Sequence, residues 1–280
     1  VIASRARTLR FARTLGPGDD APIERDGRAP CLVAFHGFGG TTAELAPLLA
    51  SVADAGFAVR APHLPGHGTT VTELQEHSFD SWVEAARDVV RGARAAYGRV
   101  VVAGFSMGSL VATELASEVD LGAEGLIVLG NAVTLSPILA LPLALFERFG
   151  IAMPDWYLVK PRAADIRDRI AMARITTYDR HPLRAAFHVY RAGRRAYARA
   201  PLVRCPTLIL HGAHDHVCPA QNARRLAHRV GTHDVTVRIY DDSAHLVACD
   251  HDREAVARDV VTFLERIERS RTADDHRGPA

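Results

Sequence analysis

The chain has 280 residues, 48% of them hydrophobic and 24% charged, with a formal net charge of +2. That length and balance suit a globular protein built as one α/β domain with an insertion. A charge so near zero argues against a nucleic-acid binder, and Lys160 is the one lysine among 34 basic residues, as GC-rich coding would produce.

In chain order, the opening "VIASRARTLR" lacks the apolar stretch of a signal peptide. Cys31, Cys205, Cys218 and Cys249 are dispersed, without C-x-x-C spacing, which reads as reduced thiols in a cytoplasmic protein. Apolar runs rich in Val, Ile and Leu predict strands at 31–37, 57–62, 100–106, 125–130, 207–212 and 235–240. Most lack clean alternation, as expected of parallel strands covered on both faces. Amphipathic stretches predict helices at about 43–54, 80–96, 107–118, 219–230 and 252–268. The alternation predicts an α/β fold with a mostly parallel, doubly wound sheet.

Between the fourth and fifth runs lies a stretch too long for an ordinary crossover. Residues 131–204 are expected to form a helical cap without strands, inserted into a core of 1–130 and 205–268. The uncharged segment 125–146 is long enough to span a bilayer. Gly130, Asn131, Pro137 and Pro142 interrupt it, however, so it reads as a buried strand, a turn and an apolar helix. That helix is expected to cover the core, wall an acyl pocket or dip into a lipid interface. The polar tail 269–280 is expected to be disordered.

In an open α/β sheet, reactive groups gather at the carboxyl ends of the strands. Gly104-Phe105-Ser106-Met107-Gly108 puts Ser106 where a strand becomes a helix, flanked by glycines as a sharp turn requires. As a plain helix cap, Ser106 would carry no chemistry. As a nucleophile it needs a base and a group to orient that base. His245 in "DDSAHLVACD" and Asp215 in "HGAHDHVCP" follow the last two strands, in the chain order Ser106, Asp215, His245. Asp241 and Asp242 stand too close to His245 on one loop to orient it, and Asp250 is expected to cap the last helix at 252–253. For the oxyanion, the backbone N–H groups of Met107 and of Phe38, in "HGFGG", are the candidate donors.

Five motifs, "HGFGG", "PHLPGHGTT", "GFSMGS", "HGAHDHVCP" and "SAHLVACD", occur in one order from about 30 to 268. Together they resemble the α/β-hydrolase superfamily, most of all bacterial carboxylesterases and monoacylglycerol lipases. The resemblance implies nucleophile Ser106, base His245, orienting acid Asp215 and an oxyanion hole at Phe38 and Met107. It implies no metal or organic cofactor. His63 departs from it, standing where many relatives carry aspartate.

His211, His214, His216 and Cys218 crowd one loop, but their spacing fits no common zinc pattern. Arg184, Arg191, Arg194, Arg195 and Arg199 read as a solvated helix face or a meeting place for an anion or membrane. The expected function is hydrolysis of short- to medium-chain esters or monoacylglycerols through an acyl-enzyme. A thioesterase or lysophospholipase would use the same residues, and the rival of another class is a non-catalytic ligand-binding protein.

Overall fold

The computed structural model describes residues 21–159 and 164–275. The opening decapeptide and the tail end 276–280 lie outside the described residues. In chain order the first half contains β1 (Ile23–Arg25), β2 (Arg28–Phe35), α1 (Ala46–Asp54), β3 (Phe57–Ala61), α2 (Val71–Gln75) and α3 (Phe79–Tyr97). It continues with β4 (Val100–Phe105), α4 (Met107–Ala116) and β5 (Gly125–Leu129). The insertion then brings α5 (Pro137–Arg148), β6 (Tyr157–Val159), α6 (Arg169–Met172), β7 (Arg180–Pro182) and α7 (Leu183–Arg199). The chain returns through β8 (Thr207–Gly212), α8 (Gln221–Ala227), β9 (Val235–Tyr240) and α9 (Arg253–Asp275).

Seven strands pair in the order β1-β3-β2-β4-β5-β8-β9, and only β1 runs antiparallel to its neighbour. The period-2 geometry of the strands divides the core. Cys31, Val33, Phe35, Val100, Val102 and Val128 face the layer of α3, α4, α7 and α8. Leu32, Ala34, Val101, Ala103, Ile127 and Leu210 face α1 and α9. Every central strand is therefore apolar on both sides, which explains why the runs do not alternate.

α3 illustrates how a helix is specified locally. Ser78 and Ser81 exchange side chain–backbone bonds in a capping box. Phe79, Trp82, Val83, Ala86, Val90 and Ala93 form the buried stripe. Gly98, at φ 73°, ends the helix. Each large apolar side chain in that stripe contributes about 1.5–3 kcal/mol through burial.

All six predicted strands are present. Five differences from expectation concern the margins and the insertion. β1 is an added edge strand of three residues. Residues 131–204 are not purely helical, because β6 and β7 form an antiparallel hairpin. α7 packs on α3 and α4 through Ala185, Val189, Ala192 and Ala196, so it belongs to a helical layer of the sheet. α9 carries on past 268 to Asp275, since residues 253–277 contain neither glycine nor proline. α5 also fails to cover the core: only Leu143 is buried, while Ile138, Leu141 and Leu145 are 81%, 61% and 48% exposed. No helix among the described residues is long and apolar enough to cross a membrane.

Candidate active site

β4 and α4 meet at Ser106, in a turn so tight that it dictates its neighbours. Ser106 has φ 53°, the one positive φ at a non-glycine position among the described residues. Holding an L-residue there costs about 1–3 kcal/mol. A Cβ on Gly104 would lie 1.9 Å from the Gly108 carbonyl oxygen, and one on Gly108 would lie 2.2 Å from that of Phe35. The strained peptide is tied down at both ends. Ser106 N–H donates to the Leu129 carbonyl at 2.9 Å, and the Ser106 carbonyl accepts from Ser109 N–H at 2.9 Å and Ser109 Oγ at 2.6 Å. The Ser106 hydroxyl makes no capping bond to α4, which sets aside the plain-cap reading.

That hydroxyl lies 2.9 Å from His245 Nε2, and His245 Nδ1 lies 2.7 Å from Asp215 Oδ2. A carboxylate only accepts, so Nδ1 carries the proton and Nε2 faces the serine as an acceptor. The Asp215 side chain is fully buried, and its Oδ1 accepts the N–H groups of Val217 at 2.9 Å and Cys218 at 2.7 Å. Burial alone would push its carboxyl up. The His245 and His211 contacts outweigh that and hold it well below the usual carboxylate range. Burial works against a charged His245 ring, but Asp215, with help from Asp165 and Glu44, raises it above its ordinary value.

The predicted oxyanion donors lie just beyond the ends of adjoining strands. Met107 is the buried first residue of α4. Phe38 follows β2, which pairs with β4 up to Phe35 against Gly104. The Phe38 loop is held on several sides. Glu44 accepts Gly37 N–H at 2.8 Å. The Gly39 carbonyl accepts Tyr178 N–H at 2.9 Å and Thr177 Oγ1 at 2.8 Å. The His181 ring stacks on Phe38, with centroids 4.6 Å apart and planes 26° apart. Beneath it, His36 Nδ1 donates to the Gly37 carbonyl at 2.9 Å and Nε2 accepts Leu64 N–H at 3.0 Å. Burial lowers that ring to about 4, so it stays neutral. His63 sits at the rim, 3.5 Å from Thr42 Oγ1.

Sequence reasoning missed the part the insertion takes. The Asp165 carboxylate accepts His216 N–H at 2.8 Å, and its carbonyl accepts Leu246 N–H at 3.1 Å. Asp250 corrects an expectation, since its carboxylate does not cap 252–253. It is fully buried and takes four backbone N–H groups: Ala244 and Arg167 on Oδ2, Asp168 and His251 on Oδ1. It therefore joins the His245 loop to the insertion. "AADIRD" carries no strand-end cue that could have flagged Asp165, and the order of folding elements alone could not bring it to His245.

The remaining candidates disperse. His211 turns its Nε2 to Asp215 and the Cys218 carbonyl, His216 pairs with Asp165, and His214 is exposed. Asp242 pairs with Arg167 at 3.4 Å, away from His245. The arginine run forms a solvated helix face that is also laced with ion pairs: Arg184 to Asp155, Arg191 and Arg194 to Glu147, Arg195 and Arg199 to the buried Glu114. All four cysteines are unpaired. Burial pushes the thiols of Cys31, Cys205 and Cys249 up to about 12, which leaves them un-ionised and poor nucleophiles.

Comparison with known proteins gives this geometry a family. The chain is 24% identical over 235 residues to a thermostable monoacylglycerol lipase of Bacillus sp. (strain H-257), covering 84% of this chain and 90% of the relative. It is 20% identical over 255 residues to a carboxylesterase of Bacillus subtilis (strain 168), covering 88% and 97%. Among solved structures, a metagenome-derived lipolytic enzyme superposes with TM-score 0.81 at 25% identity, over 90% of this chain and 99% of that one. The fold is also that of the Paleococcus ferrophilus monoacylglycerol lipase, with TM-score 0.73 and 21% identity over 89% of this chain and 100% of that one. The profile of one family, described as serine aminopeptidase, S33, matches residues 28–252, and with the sheet order and the strand-end site already in view, the chain belongs to that family of α/β-hydrolases.

Proposed function

We propose that this chain is a serine hydrolase that cleaves carboxylic esters through an acyl-enzyme. The observation that carries the reading is the unbroken line of contacts from Ser106 Oγ to His245 Nε2 at 2.9 Å and from His245 Nδ1 to Asp215 at 2.7 Å. Ser106 Oγ attacks the ester carbonyl carbon while its proton passes to His245 Nε2. The charge that develops on the carbonyl oxygen is met by the N–H groups of Met107 and Phe38, and one such donor is worth about a hundred- to a thousandfold in rate. The tetrahedral carbon collapses, the bond to the alcohol oxygen breaks, and His245 gives that oxygen the proton. Water then repeats the sequence: it gives His245 a proton, attacks the acyl carbon, and releases the acid as Ser106 takes the proton back.

The lipase and carboxylesterase names of the relatives support esters over amides, and a monoacylglycerol or an ester of short to medium acyl length fits best. Residues 131–182 serve as the cap. The exposed apolar residues of α5 and its surroundings, with Phe149 at 69% and Trp156 at 66%, suit contact with aggregated or lipid-borne substrate.

Ser106→Ala is expected to lower p-nitrophenyl ester hydrolysis about a thousandfold or more and to abolish labelling by a fluorophosphonate probe. Full activity in that variant overturns the proposal. Failure of the wild-type protein to take the label favours a binding protein instead. A panel of glycerol esters, acyl-CoA thioesters and aminoacyl p-nitroanilides then separates the ester reading from the thioesterase reading and from the aminopeptidase of the family description.

A further inference from the structure

His211 is the penultimate residue of β8, four residues before Asp215, and its side chain is fully buried. Its Nε2 lies 2.9 Å from Asp215 Oδ2 and 3.1 Å from the Cys218 carbonyl oxygen. Both partners only accept, so the ring proton belongs on Nε2. Its Nδ1 is buried without a hydrogen-bond partner among the described residues. An apolar side chain of similar size would avoid that unpaired nitrogen. What the imidazole contributes therefore lies at Nε2, on the acid of the site.

We propose that His211 is a positioning residue that shares Asp215 Oδ2 with His245, and so sets both the plane of the carboxylate and the basicity of His245. The proposal rests on the roles given above to Asp215 and His245. Asp215 is gripped at four points, two per oxygen: Val217 and Cys218 N–H on Oδ1, His245 and His211 on Oδ2. Two donors on one oxygen divide its charge, so each holds it less strongly than it would alone. Without His211, Oδ2 would turn its whole charge on the His245 ring and hold the imidazolium more tightly. The base would then be spent at a higher pH. The other charged groups facing His245 are Asp165, which also meets His216, and Glu44, and neither touches Oδ2. The Cys218 thiol beside Asp215 stays neutral because burial and the nearby carboxylates push it well above its ordinary value.

The test reads the His245 titration directly, by NMR of isotope-labelled histidine in the Ser106→Ala protein, where no turnover is needed. His211→Leu is expected to raise the His245 midpoint by about one pH unit, the scale of one lost donor to an ionised group. His211→Gln, whose amide N–H can reach Oδ2, is expected to bring it back. In proteins that retain Ser106, the acid limb of kcat/KM should move the same way. An unmoved or lowered midpoint in His211→Leu, or a Gln variant that behaves like Leu, overturns the proposal. Should either variant fail to fold, the tautomer of His211 in the unsubstituted protein decides: Nε2 protonation supports the donor, and Nδ1 protonation overturns it. Activity that survives Ser106→Ala would sink the proposed function instead, and both NMR readouts remain valid in that case.

Discussion

Gly108 and Ser106 share one turn, and their requirements are opposite: one residue must lack a side chain, the other must project it. A methyl group on Gly108 would meet the backbone oxygens of Phe35 at 2.2 Å and His36 at 2.6 Å, atoms that cannot swing aside. Gly108→Ala is therefore expected to destabilise the fold by about 3 kcal/mol, the upper range of overpacking. The check is a lowered urea midpoint, together with a fall in esterase kcat as Ser106 shifts from His245. At this scale the candidate site was largely legible. Ser106, Asp215 and His245 each follow an apolar run closely, and the glycine-flanked turn and the chain order of the three mark them as candidates. His211 was not legible as a partner of Asp215, because Asp215 lies in the loop beyond β8 and its side chain can point anywhere until packing fixes it. Asp250 was misread for the same reason: a carboxylate just before a helix looks like a cap, whatever backbone folds over it.

At the scale of elements, the segment leading into α6 and the turn before β7 reach the site from the insertion. Asp250 holds Arg167 and Asp168 on one side and Ala244 on the other, while Thr177 and Tyr178 hold Gly39. Tyr178 also donates to the Gly66 carbonyl at 2.9 Å and accepts Thr69 N–H at 3.1 Å. The insertion thus grips both the His245 loop and the Phe38 loop. In Asp250→Asn, one oxygen that accepts two N–H groups becomes an NH₂ facing two donors. The expected loss is about 3 kcal/mol of stability, read by urea unfolding, with a fall in kcat larger than any change in KM. These contacts could not be read along the chain, since they join residues far apart in sequence. β6 was hidden too, for its three residues are all exposed and carry no inward–outward alternation.

At the scale of the whole molecule, the sheet buries apolar residues on both faces, while the insertion leaves apolar residues in water. Ile138 and Leu141 lie on the open face of α5, where polar residues would be expected if the helix faced only solvent. Ile138→Ser with Leu141→Ser is expected to leave kcat/KM for a dissolved short-chain p-nitrophenyl ester unchanged. The same double substitution should lower turnover of a micellar monoacylglycerol several-fold, as loss of two apolar anchors predicts. Equal rates on both substrates would count against contact between α5 and aggregated substrate.

By itself the sequence determined the alternation of strands and helices, the sheet with two covered faces, and the three residues at the strand ends. Those features follow from local periodicity and from glycines that no side chain could replace in so sharp a turn. The tertiary structure alone decided what surrounds the three: His211 on the far side of Asp215, Asp250 and Asp165 latching the loops, and Thr177 and Tyr178 on Gly39. Hydrogen bonds of that kind are short-ranged and directional, so they exist only once the long-range packing of the sheet has brought distant backbone within about 3 Å. Position along a strand is written in the chain, and the partner across a loop is made by the fold.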